Sequence, residues 1–121
     1  MSDIKILSGG AANGLVNAVR ADFLQATRAN IVGDFGAVGG MFDRIVANEA
    51  VDIVILSQKL MDDLLARGLI SSENMTPLGK VVTGLAVRSG QSKPAVDGAN
   101  TLKQTFLNAD AIYLPDHFKS T

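Results

Sequence analysis

The chain has 121 residues, the size of one folding unit, since domains commonly hold roughly 100 to 200. Eleven Lys and Arg stand against twelve Asp and Glu, a formal net charge of −1, which excludes the basic field that attracts nucleic acid or anionic lipid. With no Cys, disulfides, thiolate nucleophiles and cysteine metal sites are excluded, and the redox compartment is left open.

Hydrophobic residues make up 47%, yet the aromatics are five Phe and one Tyr, with no Trp. The core must therefore rest on Val, Ile, Leu, Ala and Met, which suits an α/β layer fold. A mean hydropathy of +0.24 is high for so small a chain, because small domains have much surface and little interior. It implies apolar surface that takes a partner. Met1 to Leu7 shows neither a basic stretch nor the apolar run of an export signal, and no run approaches the ~20 residues of a membrane span. The expectation is a protein without membrane insertion, cytoplasmic as written or periplasmic if this is a processed piece.

Short β-branched runs alternate with helical spacings, as in βαβ units. Ile4 to Leu7 predicts a first strand ending at Ser8-Gly9-Gly10. Leu15, Val16, Val19 and Phe23 then form a helical stripe, predicting a helix from about Ala12 to Thr27. Asn30 to Phe35 is the second strand, Gly36 to Gly40 the turn out of it, and Met41, Phe42, Ile45 and Val46 a second apolar stripe. Val51 to Leu56 is nearly continuous in apolar residues, as in a central parallel strand covered on both faces. Leu60, Met61, Leu64 and Leu65 predict a helix that Gly68 stops. A fourth strand is expected over Val81 to Arg88, interrupted by Gly84. A linker with Pro94 follows from Ser89 to Asn100, then a helix over Thr101 to Asn108 and a short strand over Ala111 to Leu114.

In an open parallel sheet the strand-to-helix turns Ser8 to Asn13, Gly36 to Gly40 and Ser57-Gln58 lie along one edge, at the carboxyl ends of strands, where ligands bind. Helix starts there offer unpaired N–H groups and a positive dipole end, which suit an anion. Gly9 to Gly14 has the gap of a phosphate loop, but Leu15 and Val16 stand where Lys and a hydroxyl residue are required. The dinucleotide glycine spacing is absent as well, so tight turns with close packing explain these glycines equally well. His117, the sole histidine, neighbours Asp116 and Ser120, but adjacent residues in an extended segment point opposite ways, so a proton relay has poor geometry and a polar terminus is the better reading. Neither catalytic residues nor a metal or other cofactor is expected. Asp62, Asp63 and Glu73 read as solvated, and Ser57 serves equally as a helix cap.

Five stretches in order carry a resemblance. They are Ile4-Lys5-Ile6-Leu7-Ser8-Gly9-Gly10-Ala11, Val51-Asp52-Ile53-Val54-Ile55-Leu56-Ser57, Leu64-Leu65-Ala66-Arg67-Gly68-Leu69-Ile70, Gly84-Leu85-Ala86-Val87-Arg88-Ser89-Gly90 and Ala111-Ile112-Tyr113-Leu114-Pro115-Asp116. Together they resemble the molybdate-binding, ModA-like branch of the type 2 periplasmic binding proteins. The resemblance implies a three-layer α/β sandwich with a mostly parallel central sheet, the first lobe of a two-lobed receptor of an ABC importer. Residues 1–121 are then a single domain whose last part, 109–121, starts the crossover to a second lobe that this sequence mostly does not contain. It also implies that backbone N–H groups and hydroxyls clamp a small oxyanion. Where molybdate binders place serines after the first two strands, this sequence has Ala11 and Ala37-Val38, with Ser8 and Ser57 as the nearest substitutes.

The expected ligand residues are Ser8, Gly9, Gly10, Ala11, Gly36, Ala37, Val38, Ser57 and Tyr113, for a small-molecule or oxyanion ligand. The alternative is a non-catalytic interaction protein that has lost ligand binding. A homo-oligomer is expected in either case, most simply a twofold dimer exchanging residues 111–121.

Overall fold

Ser2–Gly9 forms the first strand, β1, and Ala29–Gly36 the second, β2, parallel to it along all eight residues from Ser2 beside Ala29 to Gly9 beside Gly36. Ile53–Ile55, β3, lies parallel on the other side of β1, with Ile6 beside Ile53 and Ser8 beside Ile55. The order is therefore β2-β1-β3. The structure, a computed structural model, describes residues 2–116, and His117, Lys119, Ser120 and Thr121 lie outside it. The described parts of Met1–Leu78 and Pro115–Thr121 make one compact unit, and Gly79–Leu114 makes another.

The apolar run Val51 to Leu56, expected as the central strand, contributes only three strand residues at the sheet margin, and Ile53 keeps 44% of its surface exposed. The central strand is β1, because the crossover from β2 to β3 passes over it. Apolar continuity reports burial but not position in the sheet, so an inner strand and a margin strand read alike. One residue fixes the pairing of β1 with β2. Gly33 has φ +140°, and a Cβ there would stand 1.9 Å from the Ile6 carbonyl oxygen, so no other residue fits.

Crossovers that run in opposite directions and keep the usual right hand place their helices on opposite faces. The first helix, α1 (Asn13–Thr27), packs along β2. Its expected stripe is only partly buried. Val16 is buried and Phe23 half-buried, while Leu15 and Val19 are 50% and 47% exposed. At about 100° per residue, Val16, Arg20 and Phe23 share one meridian and Leu15 and Val19 fall to its side. Arg20 accordingly lies half-buried and donates from its guanidinium to the Ile31 carbonyl.

On the other face lie α2 (Val38–Val46) and α3 (Gln58–Ala66). Successive strand residues point to opposite faces, so Leu7 turns away from Ile6 and Ser8. It joins Met41, Ile45 and Leu64 in the core, with Phe42, Val51, Val54, Leu56, Met61 and Ile70 packed around them. Burying side chains such as Leu7 and Leu64 contributes roughly 1.5–3 kcal/mol each. The expected stop of α3 is present. Gly68, at φ +70°, donates to the Leu65 carbonyl at 2.9 Å, and Leu69 to that of Leu64 at 3.0 Å, the paired bonds of a Schellman end. Beside it, the Arg67 guanidinium lies over the Phe42 ring at 5.4 Å from the centroid.

In the second unit the one helix is α4 (Ala99–Leu107), which starts two residues ahead of the expected Thr101. Thr101 explains the start: its hydroxyl accepts from the Gly98 N–H at 3.0 Å and donates to the Gly98 carbonyl at 2.9 Å. Thr105 donates to the Ala95 carbonyl at 2.9 Å and ties the preceding segment to the helix. The strands expected over Val81 to Arg88 and Ala111 to Leu114 do not form among the described residues. A strand exists only through its neighbours, and this unit supplies no ladder for either segment. Among the described residues no helix is long and apolar enough to cross a membrane.

Candidate ligand-binding edge

Because the three strands are parallel and in register, their carboxyl ends meet at one sheet edge: Gly9 beside Gly36, and Ser8 beside Ile55. From this edge the chain turns into helices at three places. Gly10–Ala12 forms a 3₁₀ turn that runs straight into α1, Ala37 precedes α2, and Ser57 precedes α3. The register thus brings together eight of the nine expected ligand residues. Tyr113 lies in the second unit, where it is 95% exposed.

None of these helix starts has a side-chain cap. Elsewhere caps are made: Ser71 accepts from the Glu73 N–H, and Thr101 serves the start of α4. An α-helix leaves its first N–H groups without intrahelical partners. The first such bonds here are Met41 N–H to Ala37 O at 3.1 Å and Met61 N–H to Ser57 O at 3.0 Å. The N–H groups of Val38, Gly39 and Gly40, and those of Gln58, Lys59 and Leu60, therefore precede the ladder. With the helix dipoles they create positive potential along the edge.

Small residues are needed here for packing. A Cβ on Gly9 would come within 2.6 Å of Val38 Cγ1, so the first turn and the start of α2 touch because residue 9 has no side chain. Gly10 has room, its nearest neighbour being the Gly36 carbonyl oxygen at 3.8 Å. A Cβ on Gly36 would meet only the mobile tip of Met41 at 3.0 Å. Gly10, Ala11 and Ala37 are exposed, while Gly36 and Val38 are half-buried.

The two hydroxyls differ. Ser8 is fully buried, and its Oγ donates to the Gly9 carbonyl at 2.9 Å. Ser57 has the extended backbone of a helix cap (φ −64°, ψ 152°), yet its Oγ is sealed from solvent and has no hydrogen-bond partner among the described residues. Leaving such a group unpaired costs about 1–3 kcal/mol. Within residues 8–13, 36–40 and 57–60 the sole charged side chain is Lys59, which is exposed. Lys59 was not among the expected ligand residues. Its place as the second residue of α3, two positions after Ser57, was the signal that could have found it.

A charge network on the α2 side also went unread. Arg44 meets Glu49 through two bonds of 2.6 Å and reaches Asp34 at 2.8 Å, while Lys5 meets Glu49 at 2.8 Å. The hydrogen bonds from Arg44 and Lys5 hold the Glu49 carboxyl well below its ordinary range, at about 2. Hydrogen bonds to Glu49 and then to Asp34 raise the Arg44 guanidinium further above its ordinary value. The network joins β1, β2, α2 and the loop into β3, and so holds the frame from which the edge projects.

The aconitate isomerase of a Pseudomonas species is 27% identical over 123 aligned residues, which cover 96% of this chain and 46% of the isomerase. The chain thus spans about half the length of that relative. Residues 4–117 match the family described as bacterial extracellular solute-binding protein. With a match through nearly its whole length, on a parallel sheet whose carboxyl edge leaves its helix starts open, the chain belongs to the bacterial extracellular solute-binding protein family.

Proposed function

We propose that this chain is the first lobe of a module that binds a small anionic solute outside the cytoplasm, and that the solute rests on the edge formed by residues 8–11, 36–38 and 57. The observation that carries this reading is the set of helix starts without side-chain caps on one sheet edge, in a chain of solute-binding ancestry. Residues 109–121 then lead toward a second lobe. The molybdate branch is one form of the reading, and importer-linked uptake is its context. Thermal denaturation with a panel of oxyanions and small carboxylates tests it, since a ligand at 100 times its dissociation constant adds about 2.7 kcal/mol of stability. A panel that leaves the midpoint unmoved and produces no amide shifts would count against the edge as a ligand site.

A second reading concerns the surface. Val81, Val82, Leu107 and Leu114 are 75%, 90%, 67% and 77% exposed, so the second unit carries apolar side chains that association would bury. A twofold dimer exchanging residues 111–121 is the arrangement proposed. Sedimentation at micromolar concentration is expected to show a dimer that truncation after Asn108 dissociates. The name of the isomerase relative favours a catalytic variant of the ligand reading, in which the whole protein acts on a carboxylate. Incubation with aconitate, followed by NMR for geometric exchange, tests that variant.

A further inference from the structure

Resting on the self-association reading above, though not on its exchange of residues 111–121, we infer that the carboxamides of α4 form a docking row for the backbone of residues 81–87 of a second copy. The row lies wholly within the second unit. Asn100 and Gln104 are four residues apart in α4, and Asn108, which closes the helix, keeps a helical backbone at φ −92° and ψ −2°. All three line one open cavity of about 510 Å³, together with Pro94 and Ala95. Residues four apart share a helix face, so the three amide groups stand in a row.

The inventory of donors and acceptors is the first ground. Thr101 and Thr105 line the same cavity, but their hydroxyls are committed, one to the Gly98 carbonyl and the other to that of Ala95, each at 2.9 Å. Asn100, Gln104 and Asn108 are exposed and make no side-chain hydrogen bond among the described residues. Each carboxamide offers an oxygen that accepts and a nitrogen that donates. Among the described residues no charged side chain lines the cavity. The ligand that answers such a wall is neutral and presents N–H and C=O groups in pairs.

Spacing is the second ground. The row advances by roughly 6 Å for every four residues of helix. An extended strand turns the N–H and C=O of every second residue to one edge, with a repeat of roughly 6.4–6.8 Å. Over three groups the mismatch is only roughly 1–2 Å, within reach of flexible Asn and Gln side chains. A small anion or a single sugar ring has no such repeat.

The chain itself supplies the matching segment. Val81 to Val87 carries no charge, and its backbone makes no hydrogen bond among the described residues. Val81 and Val82 are 75% and 90% exposed. A neutral segment with unused backbone groups complements a neutral wall with unused amides. In a twofold pair the contact is made twice, each copy offering both row and segment.

The experiment joins sedimentation of the 121-residue chain at micromolar concentration to a titration of the ¹⁵N-labelled chain with an acetylated, amidated peptide of residues 80–88. The peptide is expected to compete the pair apart and to shift the side-chain amides of Asn100, Gln104 and Asn108. Gln104→Ala is expected to weaken pairing by about tenfold, the loss of two neutral hydrogen bonds. Two further peptides carry N-methyl groups, one at Val82, Gly84 and Ala86, the other at Val81, Thr83 and Leu85. Only one of these sets faces the row, so one peptide keeps its affinity and the other loses it. If the two behave alike, the contact is not one edge of a strand and the inference is overturned. If Gln104→Ala leaves pairing unchanged while truncation after Asn108 dissociates the pair, the docking row falls and the exchange survives. A monomeric chain that ignores the peptide sinks both.

Discussion

The carboxyl edge of the sheet and the network of Lys5, Asp34, Arg44 and Glu49 treat polar groups in opposite ways. In the network every charge has an opposite partner at 2.6 to 2.8 Å, and the groups tie four parts of the first unit together. At the edge the helix starts lack side-chain caps and the Ser57 hydroxyl lacks a partner among the described residues, although Ser71 and Thr101 show that this chain makes caps elsewhere. Evenly satisfied polar groups stabilise a frame. Unsatisfied ones gathered in one place are a cost to folding that a ligand relieves.

The comparison breaks if the two regions respond alike to mutation. The largest stability effect is expected in the core beneath the network. Leu64→Ala, at a fully buried position against Leu7, Met41 and Ile45, should destabilise by about 2–5 kcal/mol in denaturant titration. Arg44→Met comes next. It leaves Asp34 and Glu49 without their shared guanidinium and should lower the melting temperature by less than Leu64→Ala. Anion-induced amide shifts at residues 38–40 should persist in the folded fraction.

Glu49→Gln sharpens the comparison through pH. The folded carboxyl titrates near 2 against an ordinary value of 4.5, because Arg44 and Lys5 hydrogen-bond its charged form. The unfolded chain therefore binds the proton first. The Glu49 contribution is complete above about 4.5 and fades as pH falls toward 2. The variant should show a shallower fall of melting temperature with pH across that window. An unchanged slope would show that Arg44 and Lys5 do not favour the charge.

The smallest stability effect is expected at the edge. Gly10 is exposed with no atom nearer than 3.8 Å to an added Cβ, so Gly10→Val should stay within about 0.5 kcal/mol of the parent. It should nonetheless abolish the anion response, because its methyl groups crowd the open helix starts. Gly36→Val is a less clean probe, since it displaces the Met41 tip. A Gly10→Val protein that unfolds, or that binds normally, would erase the contrast between frame and edge.

Much of the first unit was legible from period and punctuation. Strand and helix residues alternate as the sequence predicts through Ala66, Gly68 ends α3, and the three turns gather because parallel strands must end on the same side. The tripeptide core of β3 was legible as a strand but not as a margin one. For α1 the stripe pointed to the right helix but the wrong centre, which Val16, Arg20 and Phe23 share. The strands over 81–88 and 111–114 were read from short apolar runs and from a family resemblance, and neither supplies a pairing partner among the described residues.

The sequence by itself thus determined the fold class, the alternation of elements and the chemical poverty of the turns in hydroxyl groups, because these depend on residue type and local spacing. Tertiary structure decided that β1 is central, that Ser8 is occupied while Ser57 has no partner among the described residues, and that Lys5, Asp34, Arg44 and Glu49 meet. Those outcomes depend on which groups lie within 3 Å of one another after the chain has crossed the sheet. Lys5 and Glu49, 44 positions apart in sequence, become hydrogen-bond partners only once β1 and α2 are packed.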